Sequence, residues 1–199
     1  PEGGGQFGDV GRLDRVEVVD THEKNGVIYH ETKEPLEPGQ TVKGKLDFAV
    51  RFDRMQQHSG EHILSGLVHS LYGYDNVGFH LGAEITTLDF NGELTEEQVR
   101  DLELRANRAV FENVPVQVLY PTKEQLKSVN YRSKIEIEGQ VRIVSIPGYD
   151  ICACCAPHVD RSGEIGLIKV VSCERHRGGC PDRGASAPSP ILPHKSGPP

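Results

Sequence analysis

The apolar residues between positions 64 and 72 recur at the spacing of an amphipathic helix. They fall at i, i+3, i+4, i+7 and i+8, the positions that form one stripe against a core: Leu64, Leu67, Val68, Leu71 and Tyr72. Asp53 is a suitable N-cap with Gln56 as its capping-box partner, and Gly73 is a suitable stop. The pattern predicts a helix over 53–73.

A second helix is indicated by a capping box formed by Thr95 and Gln98 and by the apolar stripe that follows it. Pro115 ends this helix, and a short helix is predicted over 122–127. Alternating or β-branched segments predict strands over 13–19, 27–30, 41–48, 84–90, 116–120, 135–138, 140–146 and 165–172. Asn25-Gly26 is a strong signal for the turn of a hairpin.

These elements mix helices and strands without the βαβ regularity of a parallel sheet, so the predicted fold class is α+β. Residues 1–52 read as a small β domain, and a second domain, over 53–180, begins with the first helix. Residues 181–199 are rich in Pro, Ser, Gly and Ala, and we expect a disordered or foreign tail. Because the chain starts at Pro1 inside a motif and its only methionine is Met55, we expect the natural N-terminal sequence to be missing.

Composition indicates a globular protein, with 36% hydrophobic and 26% charged residues among 199. No apolar run is long enough to span a bilayer, so no membrane association is expected. Five cysteines, an odd number, favour free thiols in a reducing compartment, which predicts a cytoplasmic protein. The net charge is −7, but residues 120–199 hold 11 of the 22 basic and only 8 of the 29 acidic residues. A polyanion would therefore meet the second half: Arg132, Lys134, Arg142, Lys169, Arg175 and Arg177.

Two short clusters have the spacing of metal ligands. His58 and His62 are four apart and project from one side of the predicted helix. Cys154 and His158 supply a second pair far along the chain, and together the four make a Cys/His₃ set suited to zinc. Cys155 is a rival ligand to Cys154. The alternative interpretation is a buried cysteine cluster with unrelated surface histidines.

The same helix also contains H-x-x-E-H, the inverted zinc-protease motif, in which Glu61 would be a general base. A protease of that type has no use for Cys154 and His158, which argues against a peptidase. Upstream, Gly3, Gly4 and Gly5 could let backbone N–H groups approach a phosphate, or could form an ordinary flexible turn. The absence of a motif lysine excludes a nucleotide-binding P-loop.

Taken together, the motifs closely resemble those of the alanyl-tRNA editing proteins, which are free-standing relatives of the editing domain of alanyl-tRNA synthetase. The likeness covers about residues 1–180: the Pro1-Glu-Gly-Gly-Gly-Gln6 entry, His58-Ser-x-x-His62 and Cys154-x-x-x-His158-Val. It implies a small glycine-rich β-barrel followed by an α+β editing domain, with zinc held by His58, His62, Cys154 and His158. One departure is Cys154-Cys-Ala-Pro-His158, where the family usually has Cys-Gly-Gly-Thr-His.

The resemblance implies a zinc-dependent hydrolase that removes serine, and to a lesser extent glycine, from mischarged tRNA(Ala) and spares alanyl-tRNA. Zinc can activate water for attack on an ester, but four protein ligands would close a tetrahedral site. Glu61 and His80 are therefore candidates for activating water, and Gly3 to Gly5 are candidates for tRNA contact. A serine hydroxyl could be bound by Thr86, Thr87 or His80. The alternatives are a non-catalytic zinc-containing tRNA-binding module and an editing module cut from alanyl-tRNA synthetase. The sequence leaves the oligomeric state open.

Overall fold

A computed structural model describes residues 1–82, 85–133 and 139–174 of the chain. Within them it has three antiparallel sheets, three α-helices and one 3₁₀-helix, an α+β arrangement. The strand predicted over 135–138 and the tail over 181–199 lie outside the described residues, as do Lys134, Arg175 and Arg177.

The N-terminal sheet has four strands in the order β3-β2-β1-β4: β1 Gly11–Leu13, β2 Val16–Lys24, β3 Val27–Thr32 and β4 Gly44–Leu46. Asn25 and Gly26 both take positive φ, 55° and 77°, so the predicted hairpin turn is confirmed. A further turn at Asp14, with φ 52°, divides the predicted strand over 13–19 into two.

The β-barrel expected for residues 1–52 is not found, and this expectation is corrected. The outer strands β3 and β4 do not pair, so residues 1–52 contain an open sheet. Three residues in β4 pair only with β1, and all but one residue of β3 are exposed. A barrel closes only when its two outer strands form hydrogen bonds with each other, and β3 and β4 do not.

The first helix, α1, spans Phe48–Tyr72 and begins five residues before its predicted start. Asp47 is the N-cap, and its carboxylate accepts a hydrogen bond from the Val50 N–H at 3.2 Å. Asp53 lies inside the helix and accepts from the Gln57 side chain instead, so its assignment as N-cap was wrong. Gly73 is the left-handed C-cap with φ 70°, as predicted. The predicted boundary between residues 52 and 53 falls within this one helix.

The rest of the described chain alternates short strands and helices. These elements are β5 Asn76–Leu81, β6 Thr86–Phe90, α2 Glu96–Glu112, β7 Gln117–Leu119, α3 Lys123–Leu126, β8 Ile143–Ile146, β9 Asp150–Ala153 and a 3₁₀-helix Ser162–Ile165. The capping box predicted for α2 is confirmed at Thr95, and α3 also has one at Thr122. Neither β5 nor β9 was predicted. Val77, Phe79 and Leu81 alternate along β5 at the period of a strand, so this strand could have been recognised, whereas the four residues of β9 show no such alternation.

The strand predicted over 165–172 is wrong. Its backbone is satisfied by side chains of α2, because Asn107 accepts from the Ile168 N–H at 3.0 Å and donates to the Ile168 carbonyl at 2.7 Å. Glu103 accepts from the Val170 N–H at 2.6 Å. These polar groups replace the ladder that a neighbouring strand would provide.

The core lies where α1 crosses α2 and the 3₁₀-helix, and it includes Leu64, Leu67 and Val68 of the predicted stripe. Leu71 is exposed and Tyr72 partly buried, so the stripe loses its cover near the end of α1. Every residue of α1 from position 57 to 68 is buried, which places the two helical histidines inside the protein. No helix among the described residues is both long and apolar enough to cross a membrane.

Candidate metal centre

Four side chains from three parts of the chain meet at one point. His58 and His62 project from α1, Cys154 follows β9, and His158 lies in the loop before the 3₁₀-helix. One ligand atom from each residue lies within 4.8 Å of every other. The three imidazole rings are 4.5–5.2 Å apart between centroids. The two predicted clusters therefore form one site.

Each imidazole is held through its Nδ1 atom by an oxygen. The partner of His58 is Gln6 Oε1 at 3.1 Å, that of His62 is Asp150 Oδ2 at 2.8 Å, and that of His158 is the Ser59 hydroxyl at 3.0 Å. A proton on Nδ1 of each ring leaves the Nε2 lone pair directed at the common point. Such oxygen partners are the usual support of metal-bound histidines.

The donor atoms fit a metal ion. His158 Nε2 is buried and has no hydrogen-bond partner among the described residues. Buried polar atoms almost always have a partner, and a metal ion would satisfy this one. One thiol and three imidazoles are also a donor set that suits tetrahedral zinc.

The charges of these groups are coupled. Burial opposes ionisation of the Cys154 thiol, but the adjacent imidazoles of His158, His58 and His62 lower its pKa to about 2. Burial also disfavours the charged form of His62, but Asp150, Cys154 and Glu61 raise its pKa to about 10. Burial and the nearby charges of His62 and His58 lower the pKa of His158 to about 3. The neighbouring imidazoles therefore favour the thiolate form of Cys154, which is the form that binds a metal ion.

Asp150 connects His62 to a buried ion pair. Arg132 reaches both carboxylate oxygens of Asp150, at 2.8 and 3.0 Å. Burial raises the pKa of Asp150, but the bonds from His62 and Arg132 hold it below its usual range. Gly66 allows this approach, because a Cβ there would lie 2.2 Å from the Tyr149 carbonyl oxygen. Arg132 is thus engaged in a structural pair and is not an open polyanion contact.

A cavity of about 420 Å³ opens beside the four residues. Its lining consists of Gly4, His58, Glu61, His62, Ser133, Gln140, Arg142, Cys152, Ala153, Cys154 and Cys155. A larger depression of about 580 Å³ between β1 and β4 has no histidine or cysteine in its lining, so we assign the site to the smaller cavity.

Glu61 is buried beside the four residues. Its Oε1 atom accepts from the Ser65 hydroxyl at 2.7 Å and from the Asn76 amide at 2.8 Å. Its Oε2 atom lies 3.8 Å from His62 Nε2. The carboxylate is therefore fixed at one oxygen, with the other close to the point where the ligand atoms meet.

Other predicted site residues lie elsewhere. His80 is exposed on β5, and alternation along the strand places it on the face opposite Phe79, whose ring contacts His58. Thr86 is buried and donates to Gln57, and Thr87 pairs with His80 across the hairpin. Cys155 is exposed and stands outside the group of four, although it lines the cavity.

The three glycines lie against the cysteine loop. A Cβ at Gly3 or Gly4 would lie 3.3 Å from Cys155 Sγ or 3.2 Å from Cys154 Sγ, and a Cβ at Gly5 would lie 2.7 Å from the Phe79 ring. Gly4 and Gly5 have φ of 62° and 84°. The glycine run is thus packed closely against the site, and a side chain at Gly4 or Gly5 would also be strained by the positive φ.

The residues that support the histidines were not predicted to act at the metal site: Gln6, Ser59, Asp150 and Arg132. Ser59 lies inside the histidine motif and Gln6 at the end of the glycine run, so proximity to a motif was the only signal for either. Asp150 is the first residue of the unpredicted strand β9.

Comparison with known proteins agrees with these features. Residues 141–180 match the model of the threonyl and alanyl tRNA synthetase second additional domain. Over 88% of its length the chain is 35% identical to alanyl-tRNA editing protein Aarsd1-B of Xenopus laevis, and over 86% it is 34% identical to AlaX-L of Pyrococcus horikoshii. It is also 33% identical to an alanine–tRNA ligase of Halorubrum lacusprofundi, of which it covers 20%. The chain covers 43% and 45% of the two editing proteins. As its motifs predict, the chain is similar over most of its length to the alanyl-tRNA editing proteins.

Proposed function

We propose that this chain hydrolyses the ester bond of mischarged tRNA(Ala), chiefly seryl-tRNA(Ala), with glycyl-tRNA(Ala) as a poorer substrate. The observation that carries the proposal is the convergence of His58, His62, Cys154 and His158 beside a cavity. The names of the similar editing proteins support the same reaction class. The proposed cofactor is Zn²⁺ bound by these four residues.

Zinc in this position would polarise the ester carbonyl or lower the pKa of a water molecule from 15.7 to about 7. Glu61 is the proposed general base, because its Oε2 atom lies beside His62 Nε2 while Ser65 and Asn76 hold the other oxygen. It would take a proton from the water that attacks the carbonyl carbon and give it to the ribose oxygen as the ester C–O bond breaks. Gly4, at the cavity lining, is where we propose that the glycine-rich entry meets the acceptor end.

Selectivity for serine over alanine requires polar contact with the hydroxyl. A site built to bind a hydroxyl rejects the analogue without it by about 10⁴-fold or more. Ser133, Gln140 and Arg142 line the cavity and offer hydrogen-bonding groups, whereas His80 and Thr87 lie on the outer face of β5 and β6. We therefore propose that the cavity lining, and not the hairpin, reads the seryl group.

A second candidate is a non-catalytic zinc-containing module that binds tRNA. The observation in its favour is the closed set of four protein ligands, which is typical of structural zinc sites. The chain would then hold zinc and bind tRNA without deacylating it.

Incubation of the zinc-loaded protein with seryl-, glycyl- and alanyl-tRNA(Ala) tests both candidates. Rapid loss of serine, slower loss of glycine and retention of alanine are expected. Equal hydrolysis of the serine and alanine esters would rule out editing. Tight binding of tRNA with no hydrolysis of any ester would favour the binding module.

A further inference from the structure

The N-terminal segment over 3–9 runs along one face of α1. The helix meets it through three residues separated by three and four positions: Arg51, Arg54 and His58. Arg51 Nε donates to Asp9 Oδ1 at 2.9 Å, and Arg54 Nη1 donates to the Gly8 carbonyl at 2.5 Å. The third contact is the bond between His58 Nδ1 and Gln6 Oε1 at 3.1 Å. These three bonds therefore fix the position of the segment along α1 and place Gln6 at the metal centre.

Gln6 itself is tightly placed. Gln6 is 4% exposed, whereas the adjacent Phe7 is 50% exposed, so the amide side chain of Gln6 is directed inward. Its backbone N–H donates to the Gly3 carbonyl at 3.1 Å, and its carbonyl accepts from the Gly3 N–H at 3.0 Å. The turn formed by the glycines thus fixes the Gln6 backbone, and α1 fixes its side chain.

The three histidines have unequal support. His62 is held by a carboxylate that Arg132 clamps, and His158 is held by Ser59 of α1. His58 is held by a neutral amide from a segment 52 residues earlier in the chain. Removal of the Gln6 oxygen would leave a buried imidazole N–H without a partner and allow the ring to turn.

We propose that Gln6 is a positioning residue that fixes the tautomer and ring orientation of His58 and so completes the metal site from the N-terminal segment. This inference rests on the proposed metal site. Loss of an oxygen partner of a metal-bound histidine typically weakens metal binding by about 10–100-fold. The N-terminal sheet and the histidine helix are then one functional unit, although the sequence suggested a division at residue 52.

Three variants of the full chain test this role. Gln6→Ala removes the acceptor, and Gln6→Glu keeps an oxygen acceptor in the same place. Thr21→Val is the matched control, because it removes the bond from Thr21 Oγ1 to the Asp9 carbonyl in the same segment without touching His58. Zinc dissociation constants are measured by competition with a chromophoric chelator, and the visible ligand-field bands are recorded after cobalt(II) substitution.

We expect Gln6→Ala to weaken zinc binding by about 10–100-fold and to change the cobalt bands. Gln6→Glu should bind zinc within a few-fold of wild type, and Thr21→Val should retain wild-type affinity and bands. Wild-type affinity and bands in Gln6→Ala would overturn the inference, as would an equal loss in Thr21→Val, which would mean general loosening of the segment. If Gln6→Ala does not fold, weak zinc binding by folded Gln6→Glu would overturn it. Absence of zinc binding by wild-type protein would instead refute the proposed function.

Discussion

His158 Nδ1 lies 3.0 Å from the hydroxyl of Ser59, a residue 99 positions earlier in the chain. The same hydroxyl accepts from the Val159 N–H at 3.2 Å. Ser59 directly follows His58 in α1, so the helix that provides two of the candidate ligands also holds the third. One fully buried hydroxyl therefore fixes the distance between α1 and the loop that carries His158.

Substitution of Ser59 by alanine should destabilise the protein. It leaves the Nδ1 of His158 and the Val159 N–H buried without their oxygen partner, and an unsatisfied buried polar group costs about 1–3 kcal/mol. Urea unfolding of the metal-free protein measures the change in the free energy of unfolding. Ser70→Ala is the matched control, because Ser70 lies exposed on the same helix and its hydroxyl donates to the Leu67 carbonyl. Equal stabilities of the two variants would contradict this account.

The choice between the adjacent cysteines is decided by metal content. Cys154→Ser should lose most bound zinc, because its Sγ belongs to the group of ligand atoms. Cys155→Ser should keep it, since Cys155 is exposed and outside that group. Elemental analysis of the purified variants, with wild type expected to hold one zinc per chain, measures the difference. Loss of zinc from Cys155→Ser but not from Cys154→Ser would show that Cys155, and not Cys154, is the zinc ligand.

Gly66→Ala should destabilise the protein although alanine favours a helix. The gain in helix propensity is about 1 kcal/mol, but the new Cβ would lie 2.2 Å from the Tyr149 carbonyl and 2.7 Å from Asp150 Cβ. Overpacking of this kind costs about 1–3 kcal/mol, and it pushes away the residue that holds His62. Thermal unfolding and zinc affinity should both decline. A raised melting temperature would show that propensity outweighs the contact.

Tyr149 gives a pH dependence at the alkaline end. Burial and the hydrogen bond to Glu112 Oε2 at 2.5 Å raise its pKa from 10.0 to about 12. Because the folded pKa is the higher one, this stabilisation is complete below pH 10 and is lost as the pH rises through about 12. In Tyr149→Phe this part of the alkaline loss should vanish, and in Glu112→Gln it should be smaller and end at a lower pH, because the folded pKa of Tyr149 is lower without the Glu112 carboxylate. Unfolding free energies measured between pH 9 and 12 that fall in parallel in all three proteins would contradict the assignment.

The four candidate ligands could be recognised in the sequence more easily than the residues that support them. His58 and His62 were recognisable because a helix repeats every 3.6 residues, and Cys154 and His158 because of their spacing and their family motif. Gln6, Asp150 and Arg132 reach the site through tertiary contacts over 52, 88 and 18 positions, which no local pattern records. The start of α1 was misplaced because Asp47 caps it just as well as Asp53 would.

The base assignment leads to the most direct test of catalysis. Glu61→Gln keeps an oxygen that can accept from Ser65 and Asn76, but it replaces the second oxygen by an amide that cannot take a proton. Loss of a general base typically lowers the rate by about 10²–10⁴-fold. We expect such a fall in kcat for hydrolysis of seryl-tRNA(Ala), with zinc content unchanged.

Glu97→Gln, at an exposed position of α2, is the matched control and should retain wild-type activity. The measurement depends on zinc content being equal in both variants, because Glu61 also lies 3.8 Å from His62 Nε2 and its charge raises the pKa of that ring. A proportional loss of zinc and activity would assign Glu61 to support of the metal site. Full activity with full zinc content would exclude it as the base and leave the attacking water to be activated by the metal alone.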